Sequence, residues 1–223
     1  IGIDFNLHRG KSDVLPGAGS CFRGDILAHL AAWDDREGPW TYVSAVEDYE
    51  VTYQIQRMGF HTRTSPTARA YTDPMSTWKA LRGQRMKWNC GTIEDLISFG
   101  LNRTTRLMWC QQILTLFSIL LTALLVVFMV YISLAGQWAF NLWSLPLMVG
   151  IPLLVWMKSI KHSLRMPHRD RWDVILAVSM IVHQVFSWIR IYWFIEAWCA
   201  VLWSKVTKNR KDRWALQAQA ETS

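Results

Sequence analysis

At 223 residues the chain has room for one ordinary domain, or for a smaller polar unit followed by membrane helices. It is 51% hydrophobic with 14 Trp and 9 Met, and its charges crowd into some stretches and are nearly absent from others, which favours the second arrangement. The first 100 residues hold 11 basic and 12 acidic side chains and the rest hold 13 and 5, so the net +7 sits wholly in the apolar half; this excludes nucleic acid as a partner, whose footprint needs basic residues on the polar half.

The opening segment, residues 1 to 20, starts at Ile1 and has neither the charged start nor the apolar core of a signal peptide, so the chain is expected to begin inside a domain. Gly17, Gly19 and Ser20 mark a glycine turn ahead of Arg23. Ser44 to Met58 reads as a helix: Val51, Ile55 and Met58 recur at helical spacing, and Gly59 is placed to end it. Its first turn carries Glu47, Asp48 and Glu50, where carboxylates are favoured by the helix dipole. The segments FHTRT and ARAYT then read as short strands, and Asp73 followed by Pro74 as the N-cap and first residue of a helix running to about Trp88.

Leu107 to Ala135 is free of charge and longer than the roughly 20 residues a spanning helix needs. Trp138 to Met157 is a second candidate span, containing Pro146, Gly150 and Pro152. The loop KSIKHSLRMPHRDR has five Lys and Arg against one Asp and so belongs on the cytoplasmic side, which places the polar half there too. Trp172 to Trp203 is apolar again but carries His183, Gln184, Arg190 and Glu196, and is expected to give one crossing and an interfacial helix before a basic tail. Ionisable groups at that depth suit a polar pathway or an interfacial position equally. Cys21, Cys90, Cys110 and Cys199 show neither metal-type nor disulfide-type spacing, as in a reducing cytoplasm.

Three features stand in order: GAGSCFRGDIL at 17 to 27, VEDYEVTYQIQRMGF at 46 to 60, and QRMKW at 84 to 88. Each alone has a plain structural reading: a glycine turn, charges at a helix start, and a juxtamembrane segment with a snorkelling Lys and an interfacial Trp. Their order, with apolar spans directly after, resembles the family 2 membrane glycosyltransferases of the cellulose synthase and hyaluronan synthase type. The likeness covers residues 15 to 135 well and the remainder loosely.

The resemblance implies an α/β, GT-A-like catalytic domain, of which residues 1–100 form the C-terminal portion, followed by a transmembrane helical bundle with interfacial helices over 101–203 and a basic cytoplasmic tail over 204–223. It implies inverting transfer of a sugar from a nucleotide-sugar donor, a UDP-sugar, to a polysaccharide or lipid acceptor at the cytoplasmic face of an integral membrane protein in contact with lipid. Asp48 is then the base that takes the acceptor proton, with Glu47 as its helper. Gln84, Lys87 and Trp88 share one helix face at i, i+3 and i+4, with the cation against the donor diphosphate and the indole at the acceptor; Arg85 is an additional cation. Gly19 and Ser20 belong to a loop near the acceptor.

In one place the chain departs from the pattern: Lys87 stands where the family has Arg, a point charge in place of a planar fork. A complete member also carries an Asp for the uridine and a D-x-D motif for a divalent metal, Mg or Mn, and neither motif is in this chain, where Asp4 and Asp13 stand outside any such pattern. The chain by itself is therefore expected to be inactive, its missing N-terminal half supplied by the same or another chain. The rival expectation is a non-catalytic membrane subunit or an inactive fragment whose motifs persist as structure.

Overall fold

A computed structural model describes residues 12–17, 19–33, 36, 38–41, 43–63, 72–73, 75–135, 151–164, 170–209 and 213–222. Among them the regular elements are α1 (Gly24–Ala31), α2 (Glu47–Arg57), α3 (Trp78–Phe99), α4 (Arg106–Leu134), α5 (Ile151–Leu164), α6 (Arg171–Val178), α7 (Met180–Thr207) and α8 (Arg213–Thr222). The described residues contain no strand. Residues 60–63, expected to form one, are irregular, although the Ser12 amide donates to the Thr62 carbonyl at 2.9 Å as a paired strand would. The other expected strand, ARAYT, lies almost entirely outside the described residues.

The chain divides into two compact units, one of residues 1–113 with 193–223 and the other of 114–192. In the first, α1 packs on α2 through Ile26, Leu30, Val51 and Ile55. Helix α2 ends where the sequence places its stop. Gly59 takes φ +88°, the Phe60 amide donates back to the Ile55 carbonyl at 3.2 Å, and the Gly59 amide donates to the Gln56 carbonyl at 3.0 Å, which together form a Schellman motif.

Helix α3 differs from its expectation at both ends. The cap is Thr77, whose hydroxyl accepts from the Ala80 amide at 3.1 Å, and the helix starts at Trp78, past Asp73 and Pro74. It then runs eleven residues beyond Trp88 to Phe99, because its apolar positions keep helical spacing: Cys90 and Ile93 bury against Ala197 and Val201 of α7. On another side Gly91 abuts Ala45 and Val46, where a Cβ would lie 3.0 Å from a Val46 methyl. Burial pushes the Cys90 thiol up to about 11, so it stays protonated and inert. All four cysteines are free.

Glu50 is not the solvated helix-start charge that its position implies. It is 3% exposed and forms a two-point pair with Arg36, at 2.7 and 2.9 Å, while Arg36 also donates to the Pro39 carbonyl at 3.0 Å and so pins the 36–39 segment to α2. Removing one member of a buried pair leaves the other desolvated without compensation. Glu50→Ala is therefore expected to cost about 3 kcal/mol, and an Arg36→Met/Glu50→Leu pair much less. Thermal unfolding in detergent checks this, and equal losses in the two variants would mean that the pair itself stabilises the fold.

Helix α4 lies within one residue of the apolar stretch at each end. It and residues Gln184–Thr207 of α7 are long and apolar enough to cross a membrane, with mean hydropathies of 2.9 and 1.4. Inside α4 the hydroxyls of Thr122 and Ser133 donate to the carbonyls of Ser118 and Met129, so these polar groups are satisfied within the helix. The expected second span is described only from residue 151, where α5 continues past Met157 through Lys158 and Lys161 to Leu164. In the second unit α5 packs on α6, and the Trp156 indole donates to the Val178 carbonyl at 2.8 Å. The apolar stretch after Trp172 is divided between α6 and α7 at Ser179. The side chain of His183 lies outside the described ones, and Arg190 is exposed on α7.

Candidate active site

The site is built from the start of α2 and one face of α3. Residues 87, 91 and 95 stand one turn apart on α3 and so look the same way. Gly91 meets Ala45 and Val46, and Ser44 donates to the Asp95 carboxylate at 2.6 Å while accepting from the Val46 amide at 3.0 Å. This bond and the Gly91 approach fix the register of α3 against residues 44–46. Continuing the same face one turn toward the α3 N-terminus reaches Lys87, whose ammonium feels the charges of Glu47 and Asp48.

Lys87 is 6% exposed. Burial pulls its ammonium below the ordinary lysine range, and the charges of Glu47, Asp48 and Glu221 oppose that shift. Its Nζ lies 3.0 Å above the ring of Trp214 in α8, a cation–π contact. Within the expected basic tail, Arg213–Thr222 form α8, which packs on α3. Arg213 donates to Glu94 at 3.0 Å, and Gly83 admits α8 so closely that a Cβ would fall 2.8 Å from that of Ala220.

Asp48 is half-buried at the first turn of α2, its Oδ1 accepting from the Tyr49 amide at 2.8 Å. The glycine loop reaches it: a Cβ on Gly17 would lie 3.9 Å from Asp48 Oδ2. That loop is tied down beside Asp48, since the Leu15 amide donates to Thr52 Oγ1 at 2.9 Å and the same hydroxyl donates to the Asp48 carbonyl at 2.6 Å. Ser20 turns back to the Pro16 carbonyl and Gly19 takes φ +82°.

The rest of the QRMKW face is divided. Gln84 is half-buried, while Trp88 is 42% exposed and lies under the Arg85 guanidinium, 4.8 Å from its ring centroid. Lys87 lines a cavity of about 510 Å³ together with Arg82, Gly83, Glu196, Arg213 and Ala220. Asp48, Gln84 and Trp88 do not line it. Glu196, read from sequence as a membrane-depth acid, forms an ion pair with Arg82 of α3. The roles of Glu50, Asp95, Glu94 and Trp214 were missed because each partner lies far along the chain.

A carboxylate at a helix start, set near a buried cation, is equipped to accept a proton on one side and to meet an anionic leaving group on the other. The chain belongs to glycosyl transferase family group 2, whose model matches residues 6–206. It is also similar to the "Probable glycosyltransferase YdaM" of Bacillus subtilis (strain 168), 29% identical over 89 residues, which are 40% of this chain and 20% of that protein. The chain thus spans about a fifth of the length of that relative. No solved structure matches it.

Proposed function

We propose that the chain is the acceptor-side and membrane part of an inverting glycosyltransferase, with an α/β, GT-A-like catalytic domain at the cytoplasmic face and a helical bundle in the membrane. It would take a sugar from a UDP-sugar and pass it to a polysaccharide or lipid acceptor. The observation that carries this reading is the burial of Lys87 within the electrostatic reach of Glu47 and Asp48. Asp48 takes the proton of the acceptor hydroxyl as that oxygen attacks the anomeric carbon. The bond to the diphosphate breaks on the opposite face, inverting the centre, and the Lys87 ammonium offsets the charge left on the leaving group. Trp88, held by Arg85, offers a stacking face for an acceptor sugar, Gln84 adds an amide beside it, and the Gly19 and Ser20 loop edges the acceptor side of Asp48.

A complete enzyme of this kind uses a divalent metal, Mg or Mn, at the donor diphosphate. Among the described residues no three His, Cys, Asp or Glu side chains come together, and no step above runs through the metal. A second reading, a non-catalytic membrane subunit or inactive fragment, is favoured by the cover that Trp214 places on Lys87.

Labelled UDP-sugars given to membranes that contain this part together with the donor-binding half of the enzyme separate the two readings. An enzyme moves label into product, as long polymer if transfer is processive or as one glycolipid if it is single. Absence of transfer from every donor by inserted protein would leave the subunit reading standing.

A further inference from the structure

A larger cavity, about 1030 Å³, lined by neither Asp48 nor Lys87, lies where α2 from Tyr49 to Arg57, the end of α3 and the first turn of α4 meet. Among the described residues that line it, the bases are Arg57, His61, Arg103 and Arg106, and the acid is Asp13. An aromatic wall closes one side: Tyr53 stacks on Phe99 at 3.8 Å between centroids, and Tyr49 leans on Phe99 at 6.0 Å. Asn102 shapes the entry to α4. Its side-chain oxygen accepts from the amides of Thr104 and Thr105, and its side-chain nitrogen donates to the Tyr53 hydroxyl at 3.1 Å.

Three features of this cavity call for an anion that carries apolar chains. The Tyr49 hydroxyl, on a residue 5% exposed, has no hydrogen-bond partner among the described residues, and a buried hydroxyl without a partner costs stability until something bonds it. Arg103 and Arg106 stand at the beginning of α4, whose dipole is positive there, so their charges are placed against the helix field and a bound anion relieves both at once. Leu107 and Met108, at the apolar start of α4, line the same cavity, and Leu107 is 37% exposed.

We infer that this cavity binds the phosphate of an anionic phospholipid, with Arg103 and Arg106 on the phosphate, Tyr49 donating to it, and the acyl chains lying along the apolar start of α4. Guanidinium groups match phosphate oxygens in geometry as well as in charge. The inference rests on α4 as a membrane helix and is independent of the transfer chemistry at Asp48.

The test uses the protein purified in detergent and exchanged against phosphatidylglycerol, phosphatidylcholine or millimolar inorganic phosphate, with retained lipid counted by native mass spectrometry and thermal stability recorded. Wild-type protein is expected to retain phosphatidylglycerol over phosphatidylcholine, and Arg103→Gln/Arg106→Gln to lose that preference by about fivefold per arginine. Both side chains are exposed, so the variant should fold. Tyr49→Phe should raise the melting temperature without lipid and lower phosphatidylglycerol retention, a pair of effects that a purely structural tyrosine does not give. No preference in the wild type, or an unchanged preference in the double variant, overturns the inference. Stabilisation by inorganic phosphate equal to that by phosphatidylglycerol overturns the lipid assignment in favour of a soluble anion.

Discussion

In the enzyme complete with its donor-binding half, Asp48→Asn is expected to lower the rate of sugar transfer by about 10²- to 10⁴-fold, the contribution of a positioned general base. An amide has nearly the shape of a carboxylate but cannot hold the acceptor proton at neutral pH. Its oxygen can still accept from the Tyr49 amide, as Oδ1 does at 2.8 Å, so the first turn of α2 keeps its geometry. The loss of one carboxylate from a helix start costs only about 0.3–1 kcal/mol, too little to unfold the protein. Turnover should collapse while donor affinity and resistance to carbonate extraction stay near wild type. Glu47→Gln separates the roles of the two neighbours: it removes equal charge from the same turn and should leave most of the rate. Wild-type turnover in Asp48→Asn removes Asp48 from the chemistry, and equal losses in both variants would mean that the charge of the turn acts, not one base.

What the sequence discloses about this site is what local rules govern. The run 47–57 carries its own helical spacing and its own stop at Gly59, and α2 ends there with the expected hydrogen bonds. The uncharged stretch from Leu107 needs no partner to be helical, and α4 follows it closely. Helix α3 is different, since its far half is held by Ala197 and Val201, about a hundred residues later, and nothing near Trp88 in sequence says that the helix continues. The pairing of Glu50 with Arg36 is likewise invisible to a reading in which three acids at a helix start look alike, because only the approach of the 36–39 segment sets Glu50 apart. The tail is less legible still, because α8 meets α3 through Arg213, Gln217 and Ala220, and of these only Ala220 is apolar.

That helix also sharpens the second large effect. Lys87→Ala is expected to weaken donor binding roughly tenfold to a hundredfold, the usual worth of a hydrogen bond to a charged group, while Lys87→Arg should hold affinity by keeping the charge and stacking its planar group on Trp214. The pH dependence separates charge from shape. Because burial lowers the Lys87 proton affinity, the ammonium is lost below the pH at which an ordinary lysine would lose it, so donor binding should fall off earlier on the alkaline side. Arginine does not deprotonate there, and Lys87→Arg should extend binding to higher pH. Stability moves the other way in that window. The unfolded chain holds the lysine proton where the folded one has released it, so wild-type stability should rise with pH between the folded value and the ordinary value of 10.5, a slope that both variants lack. Donor titrations across alkaline pH give the affinity, and thermal melts at the same pH values give the linkage. Trp214→Ala completes the set, since uncovering the cation should strengthen donor binding if the donor and the indole compete for it. An unchanged donor affinity in Lys87→Ala removes Lys87 from the diphosphate and leaves its contact with Trp214 as a clasp between α3 and α8.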